Sequence, residues 1–315
     1  MDWNNSRIDA LLELALQEDQ ATDDATTNLT IDADLRARAT ILARQEMIVC
    51  GLGAVPRFLE IFARLDFARL DRNPQARSPF AIEIPPEIRD GARVQDGTVL
   101  AVIRSSARTL LSTERVILNL MQHLSGIATQ TRQYVDAIAG AHPSLQARVL
   151  DTRKTIPGLR TLEKYAVLSG GGTNHRMDLA SGILIKNNHI SLGGGLPKAL
   201  THALDGRLKG QRVQVEVRTP QELDEALVFG AEAILLDNMT PAEVKRSVDR
   251  IRQYTRELEA AGEPERWISA EASGGIVLEN IRAYAETGVD FISVGALTHS
   301  AKAADISMRI SAETA

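Results

Sequence analysis

Cationic side chains cluster in two short stretches near the middle of the chain, residues 151–155 and 170–190. The first is "DTRKT", and the second is "GGGTNHRMDLASGILIKNNHI", residues 170–190, in which positive charge flanks the strand-like "ILI". Such clustering is unexpected in a chain whose formal net charge is -5. Because guanidinium groups donate paired hydrogen bonds to planar carboxylates and phosphates, the pattern indicates a pocket for a polyanion. The side chains expected to line it are Arg153, Lys154, His175, Arg176 and Lys186.

A different interpretation is that these side chains form a solvated rim, in which they pair with acids such as Asp151 and Asp178. Ion pairing of this kind explains any one of the cations as well as a ligand does. It explains the whole group less well, and the sequence therefore favours the polyanion pocket.

Two carboxylates occur in buried-looking strands further along the chain. Glu216 lies in "VEV" and Asp237 in "LLDN". A carboxylate beside bound phosphate is repelled unless a divalent cation lies between the two, so this pair indicates Mg²⁺ that bridges to the ligand. A single acid at a strand end would be weak evidence for such a site.

Two glycine-containing loops, "ASGGI" and "SVGALTHS", follow the last two predicted strands. Backbone N–H groups at such turns bind phosphate, and in α/β barrels the loops after the last two strands are a frequent phosphate site. Ordinary helix-entry turns would explain either loop alone. The residues expected at the phosphate site are Ser273, Gly274, Gly275, Gly295 and Ala296.

No nucleophile stands out in the sequence. The chain has no GxSxG motif, its histidines lack metal-site spacing, and the single cysteine, Cys50, lies among apolar residues that predict a buried, inert thiol. Catalysis by electrostatics and positioning is therefore favoured over covalent catalysis.

Composition limits the class of protein. A sequence pI near 5.8 with 4% aromatic residues argues against a nucleic-acid-binding surface. The chain shows neither a run of apolar residues long enough to span a membrane nor a signal-peptide pattern, which predicts a soluble, cytoplasmic protein.

The order of predicted elements indicates two domains. Beyond Gly140, six short apolar strands alternate with helical segments, which predicts a parallel sheet closed into a TIM-like α/β barrel with its polar residues at the strand ends. An open doubly wound sheet is the alternative. The expected domains are an N-terminal α+β sandwich, residues 1–114 joined by the tail 298–315, and the barrel, residues 115–297. A long helical pattern links them, with a possible break at Gly126.

Taken together, "DTRKTIPGLR", "GGGTNHR", "IKNNH", "VEV", "LLDNM", "EASGGI" and "ISVGALTHSA" resemble the quinolinate phosphoribosyltransferase family over nearly the whole chain. The resemblance implies transfer of phosphoribose from 5-phosphoribosyl 1-pyrophosphate to quinolinate with decarboxylation, giving nicotinate mononucleotide, pyrophosphate and CO₂. It also implies Mg²⁺ as cofactor and a homodimer or higher assembly that shares its active sites between subunits.

The resemblance assigns roles residue by residue. Arg115, which acts across the subunit interface, would line the quinolinate pocket with Arg153, His175, Arg176 and Lys186. Lys154 would reach the reacting centre, Glu216 and Asp237 would hold the ribose hydroxyls and Mg²⁺, and the glycine loops would hold the 5′-phosphate.

The chain departs from the family pattern at two positions. Asp178 stands where glycine is usual and Asn187 where aspartate is usual. Two alternatives stay open at this stage: a related group linked to molybdenum uptake, which lacks the "NHR" and "IKxNH" signatures, and an inactive barrel that only binds an anionic metabolite.

Overall fold

The computed structural model describes residues 1–69, 80–142, 147–263 and 267–313. The chain forms two compact units. The first unit comprises Met1–Gln130, Leu168–Gly170 and Ala301–Ala315, and the second comprises Thr131–Val167 and Gly171–Ser300. Residues 314–315 of the predicted tail lie outside the described part. No helix in the described ranges has the length and apolar character that a membrane span requires.

The first unit combines helices with an antiparallel sheet, as predicted. The elements are α1 (Ser6–Glu18), a 3₁₀ turn (Ala21–Asp23), α2 (Ala25–Thr30), β1 (Arg36–Ala43), β2 (Met47–Ile48), α3 (Ala54–Arg69), β3 (Ala81–Glu83), β4 (Arg93–Val94), β5 (Val99–Ser106), α4 (Ala107–Ala137) and β12 (Ile306–Ala312). The four-stranded sheet has the order β12-β1-β5-β3, and β2 pairs with β4. Burial alternates along β1, which is typical of a strand that packs one face on a core.

Helix α4 runs without interruption through Gly126, so the predicted break there is wrong. A Cβ atom at Gly126 would lie 2.2 Å from the carbonyl oxygen of Lys302. The glycine therefore permits a close approach of the C-terminal segment to the helix. The side chain of Gln122 also donates a hydrogen bond of 2.8 Å to the carbonyl of Ile306. These contacts explain why the units divide at 130/131, inside α4, whereas the sequence predicted a boundary at 114/115.

Cys50 is fully buried, as predicted. Burial raises the pKa of its thiol well above the ordinary value, so the thiolate that a nucleophile requires is disfavoured.

The second unit is built on a parallel sheet whose six strands lie in the order 148–150, 291–293, 269–273, 233–237, 213–217 and 183–185, with helices between them along the chain. This arrangement confirms the predicted TIM-like α/β barrel class. The elements are β6 (Arg148–Leu150), α5 (Arg160–Ser169), β7 (Ile183–Ile185), α6 (Asn187–Leu192), α7 (Leu196–Gly206), β8 (Val213–Val217), α8 (Pro220–Val228), β9 (Ala233–Asp237), α9 (Pro241–Ala260), β10 (Ser269–Ser273), α10 (Ile281–Ala285), β11 (Phe291–Ser293) and α11 (Ala296–His299).

The register of this sheet brings the carboxyl ends of its strands together. Ser273 at the end of β10 pairs with Asp237 at the end of β9 and with Ser293 at the end of β11. The strands β8, β9 and β10 are almost entirely buried up to these ends, because both faces of a parallel sheet are covered. Polar side chains that follow each strand are therefore gathered at one edge.

Candidate active site

A cleft of about 470 Å³ lies at this edge of the second unit. It brings together all of the predicted site residues except Arg115, which belongs to the first unit and is exposed on α4. The predicted residues that line the cleft are Arg153, Lys154, His175, Arg176, Lys186, Glu216, Asp237, Ser273, Gly274, Gly275, Gly295 and Ala296.

A buried ion pair holds the two cationic motifs in place. Lys164 on α5 pairs with Asp151, at the end of β6, and neither side chain has exposed surface. Asp151 also accepts a hydrogen bond of 2.9 Å from the backbone N–H of His175, while Lys164 donates one of 3.0 Å to the His175 carbonyl. Burial raises the pKa of Asp151 and lowers that of Lys164, although their mutual attraction opposes both shifts. The pair thus joins "DTRKT" to "NHR".

Three of the five cations have no carboxylate within ion-pair distance in the described ranges. These are Arg153, Lys154 and Arg176. Asp151 is engaged by Lys164, and Asp178 accepts hydrogen bonds from the backbone of its own loop, at Ala180 and Ser181. Ion pairs of these three cations with Asp151 or Asp178 are therefore absent from the described ranges, whereas Lys186 and His175 lie near Glu216 and Glu271.

The Arg153 and Arg176 side chains are available to an anion. Nε of Arg153 is buried and has no hydrogen-bond partner. Burial, followed by repulsion from Arg153, lowers the pKa of Arg176, whose Nη1 donates to the Gly182 carbonyl at 2.9 Å. An anionic ligand would relieve both the unpaired donor and the repulsion between the two cations.

Glu216 and Asp237 are already in contact with cations. Glu216 is 8% exposed, and its Oε2 lies 3.2 Å from Nζ of Lys186. Its Oε1 lies 3.4 Å from Nη2 of Arg218, whose Nε is 3.2 Å from Oδ2 of Asp237. Sequence reasoning missed Arg218. The available signal was its position two residues after Glu216, because residues at i and i+2 of a strand lie on the same face.

Glu271 is a second residue to which sequence reasoning gave no role. It is buried in the middle of β10, and its Oε2 accepts a hydrogen bond of 2.8 Å from Gln214. The same oxygen lies 3.5 Å from Nε2 of His175, whereas Oε1 is buried without a partner. The only indication in the sequence was an acidic residue in the predicted strand that contains "EAS". One acid in a strand is weak evidence for a site residue. Glu271 lies beside the His175 ring in the lining of the cleft.

The glycine loops leave backbone exposed to the cleft. Gly274 and Gly275 have φ values of +92° and +62°, which glycine adopts without strain. A Cβ at Gly274 would lie 2.3 Å from Oδ1 of Asn238, and one at Gly295 would lie 3.0 Å from the Lys154 side chain. A side chain at either position would therefore clash with its neighbours. A phosphate site would have the same requirement, because the anion must approach the backbone closely.

The fold and the cleft define an α/β-barrel protein with a cation-lined cleft at the carboxyl ends of its strands. Residues 24–125 match the family model described as quinolinate phosphoribosyl transferase, N-terminal domain, and residues 127–309 match the C-terminal domain of the same family. The chain belongs to the quinolinate phosphoribosyltransferase family.

Relatives from several bacteria match over 90% or more of the chain. A probable nicotinate-nucleotide pyrophosphorylase (carboxylating) of Bacillus subtilis (strain 168) is 38% identical, covering 98% of this chain and 94% of the relative. The enzyme of that name from Mycobacterium leprae (strain TN) is 38% identical over 90% of each chain. The solved nicotinate-nucleotide pyrophosphorylase of Francisella tularensis is 35% identical, with a TM-score of 0.78 over 97% of this chain and 96% of that one.

Proposed function

We propose that this chain transfers the phosphoribosyl group of 5-phosphoribosyl 1-pyrophosphate to quinolinate and promotes decarboxylation to nicotinate mononucleotide. The observation that carries the proposal is the cationic wall, Arg153, Lys154 and Arg176, which lines one cleft together with two carboxylates and forms no ion pair within the described part of the chain. Quinolinate has two adjacent ring carboxylates, and both require cationic partners when they leave water. Family membership and the names of the relatives support the same reaction.

The proposed reaction breaks the bond between C1 of the ribose and the pyrophosphate oxygen, and forms a bond between C1 and the pyridine nitrogen. Positive charge develops on the ribosyl group, where Glu216 and Asp237 stabilise it. Negative charge develops on pyrophosphate, which faces Lys154. The ring carbon beside the nitrogen then loses CO₂ and takes up a proton, because the N-ribosylated ring accepts the electron pair.

The remaining residues hold the substrates in register. His175, Arg176, Arg153 and Lys186 bind the quinolinate carboxylates, and the loops at Ser273–Gly275 and Gly295–Ala296 hold the 5′-phosphate by their backbone N–H groups. Positioning of this kind supplies a large share of the rate enhancement when there is no covalent intermediate.

The residues at the cleft fit the Mg²⁺ ion that the family implies. Mg²⁺ commonly takes one or two carboxylates and completes its coordination with water and substrate oxygens, and Glu216 and Asp237 supply such a pair. Both attract cations in the structure, since Lys186 and Arg218 lie against them. Glu216 and Asp237 would hold the ion, which would supply positive charge to the departing pyrophosphate.

The proposed assembly is a cytoplasmic homodimer. Arg115 of one subunit is assigned to the quinolinate pocket of the other, and its exposure on α4 supports an intersubunit role. Sedimentation of the purified protein tests the assembly, and cell fractionation tests the location.

One assay tests the reaction. Quinolinate, nicotinate and nicotinamide are each incubated with 5-phosphoribosyl 1-pyrophosphate, with Mg²⁺ or with a chelator, and pyrophosphate and nucleotide are measured. The proposal requires pyrophosphate and nicotinate mononucleotide from quinolinate with Mg²⁺, and their loss in chelator. Tight quinolinate binding without pyrophosphate release would instead identify an inactive binding barrel.

A further inference from the structure

Arg218 occupies the space between the two carboxylates that the proposed function assigns to the metal. We infer that Arg218 is a built-in counter-cation of Glu216 and Asp237 that competes with the divalent ion and so sets the metal concentration that the enzyme requires. The inference rests on the proposed metal role of these two carboxylates, and it concerns a positioning residue that acts through them.

The geometry of one guanidinium group joins two neighbouring strands. Nη2 of Arg218 lies 3.4 Å from Glu216 on β8, and Nε lies 3.2 Å from Asp237 on β9. The planar fork of arginine can reach two acceptors at once, which the single ammonium group of lysine does less well. Arg218 therefore neutralises the same pair of charges that a bound metal ion would neutralise.

Burial differs between the partners. Glu216 is 8% exposed, whereas the side chain of Arg218 is 48% exposed. A buried carboxylate needs a cationic partner at all times, while a half-exposed guanidinium regains its hydration when it leaves. The exchange of Arg218 for a divalent ion therefore keeps Glu216 paired and returns Arg218 to water.

The surroundings of Arg218 leave room for this exchange. Its backbone N–H is fixed by a hydrogen bond of 2.6 Å to the Glu222 side chain. The side chain borders a second cavity of about 300 Å³ between α8 and α9, which Arg246 and Arg250 also line. The guanidinium can thus move away from the cleft while the end of β8 stays in place.

Substitution of Arg218 distinguishes competition between Arg218 and a divalent ion from a purely structural role of Arg218. In Arg218→Gln the cation that bridges both carboxylates is lost, and Glu216 keeps only Lys186. Mn²⁺ should then bind more tightly, by about tenfold if the pair is free of Arg218 in roughly a tenth of the wild-type molecules. Arg218→Lys keeps the charge but not the fork and should give an intermediate affinity. Arg246→Gln is the matched control, since Arg246 lines the same second cavity and makes no ion pair with Glu216 or Asp237.

The measurement is direct Mn²⁺ binding by electron paramagnetic resonance, with the ion alone and with inorganic pyrophosphate, together with thermal unfolding in chelator. The inference expects tighter Mn²⁺ binding by Arg218→Gln, unchanged binding by Arg246→Gln, and a lower Tm of Arg218→Gln in chelator that Mn²⁺ restores. Equal or weaker Mn²⁺ binding by Arg218→Gln would overturn it. So would failure of both wild type and variant to bind Mn²⁺ under either condition.

This experiment distinguishes failure of the inference from failure of the proposed function. If quinolinate-dependent pyrophosphate release occurs but Mn²⁺ affinity does not change in Arg218→Gln, the inference fails and the function stands. If Mn²⁺ affinity rises but no pyrophosphate is released from quinolinate, the counter-cation role stands without that reaction.

Discussion

Lys164 and Asp151 form an ion pair in which neither side chain is exposed to solvent. The pair also carries both backbone hydrogen bonds that fix His175. An ion pair in this environment stabilises a particular geometry more than it stabilises the fold as a whole, because desolvation offsets much of the attraction. Its removal should therefore affect the cleft and the free energy of unfolding together.

We expect Lys164→Met to lower the free energy of unfolding by about 3–5 kcal/mol, because the buried Asp151 charge loses its cationic partner and keeps only hydrogen bonds such as that from the His175 backbone. Urea unfolding measures the change. Lys245→Met is the control: Lys245 pairs with Asp249 on the exposed face of α9, and loss of such a pair should change stability by about 1 kcal/mol or less. Equal effects of the two substitutions would show that the Lys164 pair does not support the site.

Quinolinate should be preferred over nicotinate by about a thousandfold in kcat/KM, since the cationic wall retains unpaired charge when the second carboxylate is absent. Steady-state kinetics with the two acids under the same Mg²⁺ concentration measure the ratio. Similar efficiencies would mean that the site recognises a single carboxylate.

Lys186→Ala should weaken quinolinate binding by roughly 30- to 100-fold, the loss expected for a hydrogen bond between charged groups. The fold should remain intact, because the Lys186 side chain is 50% exposed and contacts Glu216 at the cleft. Calorimetry gives the affinity and thermal unfolding the stability. Lys198→Ala, an exposed lysine on α7 outside the cleft lining, should bind like the wild type. Near-normal affinity in Lys186→Ala would identify a rim residue.

Arg115→Ala and Lys154→Ala should each be inactive alone and should complement each other when mixed. If Arg115 serves the opposite subunit, a mixed dimer has one intact site and one doubly altered site. Random pairing of a C₂ dimer then restores about a quarter of wild-type activity after dissociation and reassociation. A mixture as inactive as its components would assign Arg115 to its own subunit.

Asp24 gives the first unit an acid-sensitive contact. Hydrogen bonds from the hydroxyl and backbone of Thr27 hold its pKa below the ordinary 3.8, and its side chain caps α2. A lowered pKa contributes stability above about pH 4 that is lost as pH falls further. Asp24→Ala should lower the free energy of unfolding by about 1 kcal/mol at pH 7. Asp24→Asn, whose amide can cap the helix but does not titrate, should remove this part of the pH dependence. Unfolding measured across the acid pH range checks this, and the same pH dependence in Asp24→Asn and the wild type would contradict the assignment to Asp24.

The elements of the barrel could be predicted from the sequence because each strand has a recognisable local pattern. "AILLD" is a buried run that ends in a polar residue, and such runs between helical segments are typical of parallel strands. The strand-end positions of Asp237 and Ser273 followed from the same pattern. The cleft could therefore be anticipated as a set of residues.

What sequence reasoning missed depends on contacts between distant segments. Gly126 has a helix-breaking residue type, and its tolerance in α4 comes from a segment about 176 positions later in the chain. Lys164 lies on the buried face of α5. The only indication in the sequence was a charged residue at a position of the helix where an apolar residue is expected. The bridge from Arg218 to Asp237 crosses two strands, and no single-strand pattern specifies it.

The strand β12 completes the sheet of the first unit by pairing along β1 from Ala37 to Ala43. During synthesis β1 leaves the ribosome long before β12, because the whole of the second unit is translated between the two strands. The barrel can therefore form while β1 still has an unpaired edge, and such an edge is prone to pair with other chains. Nascent chains stalled before Ile306 should consequently be the species that chaperones retain.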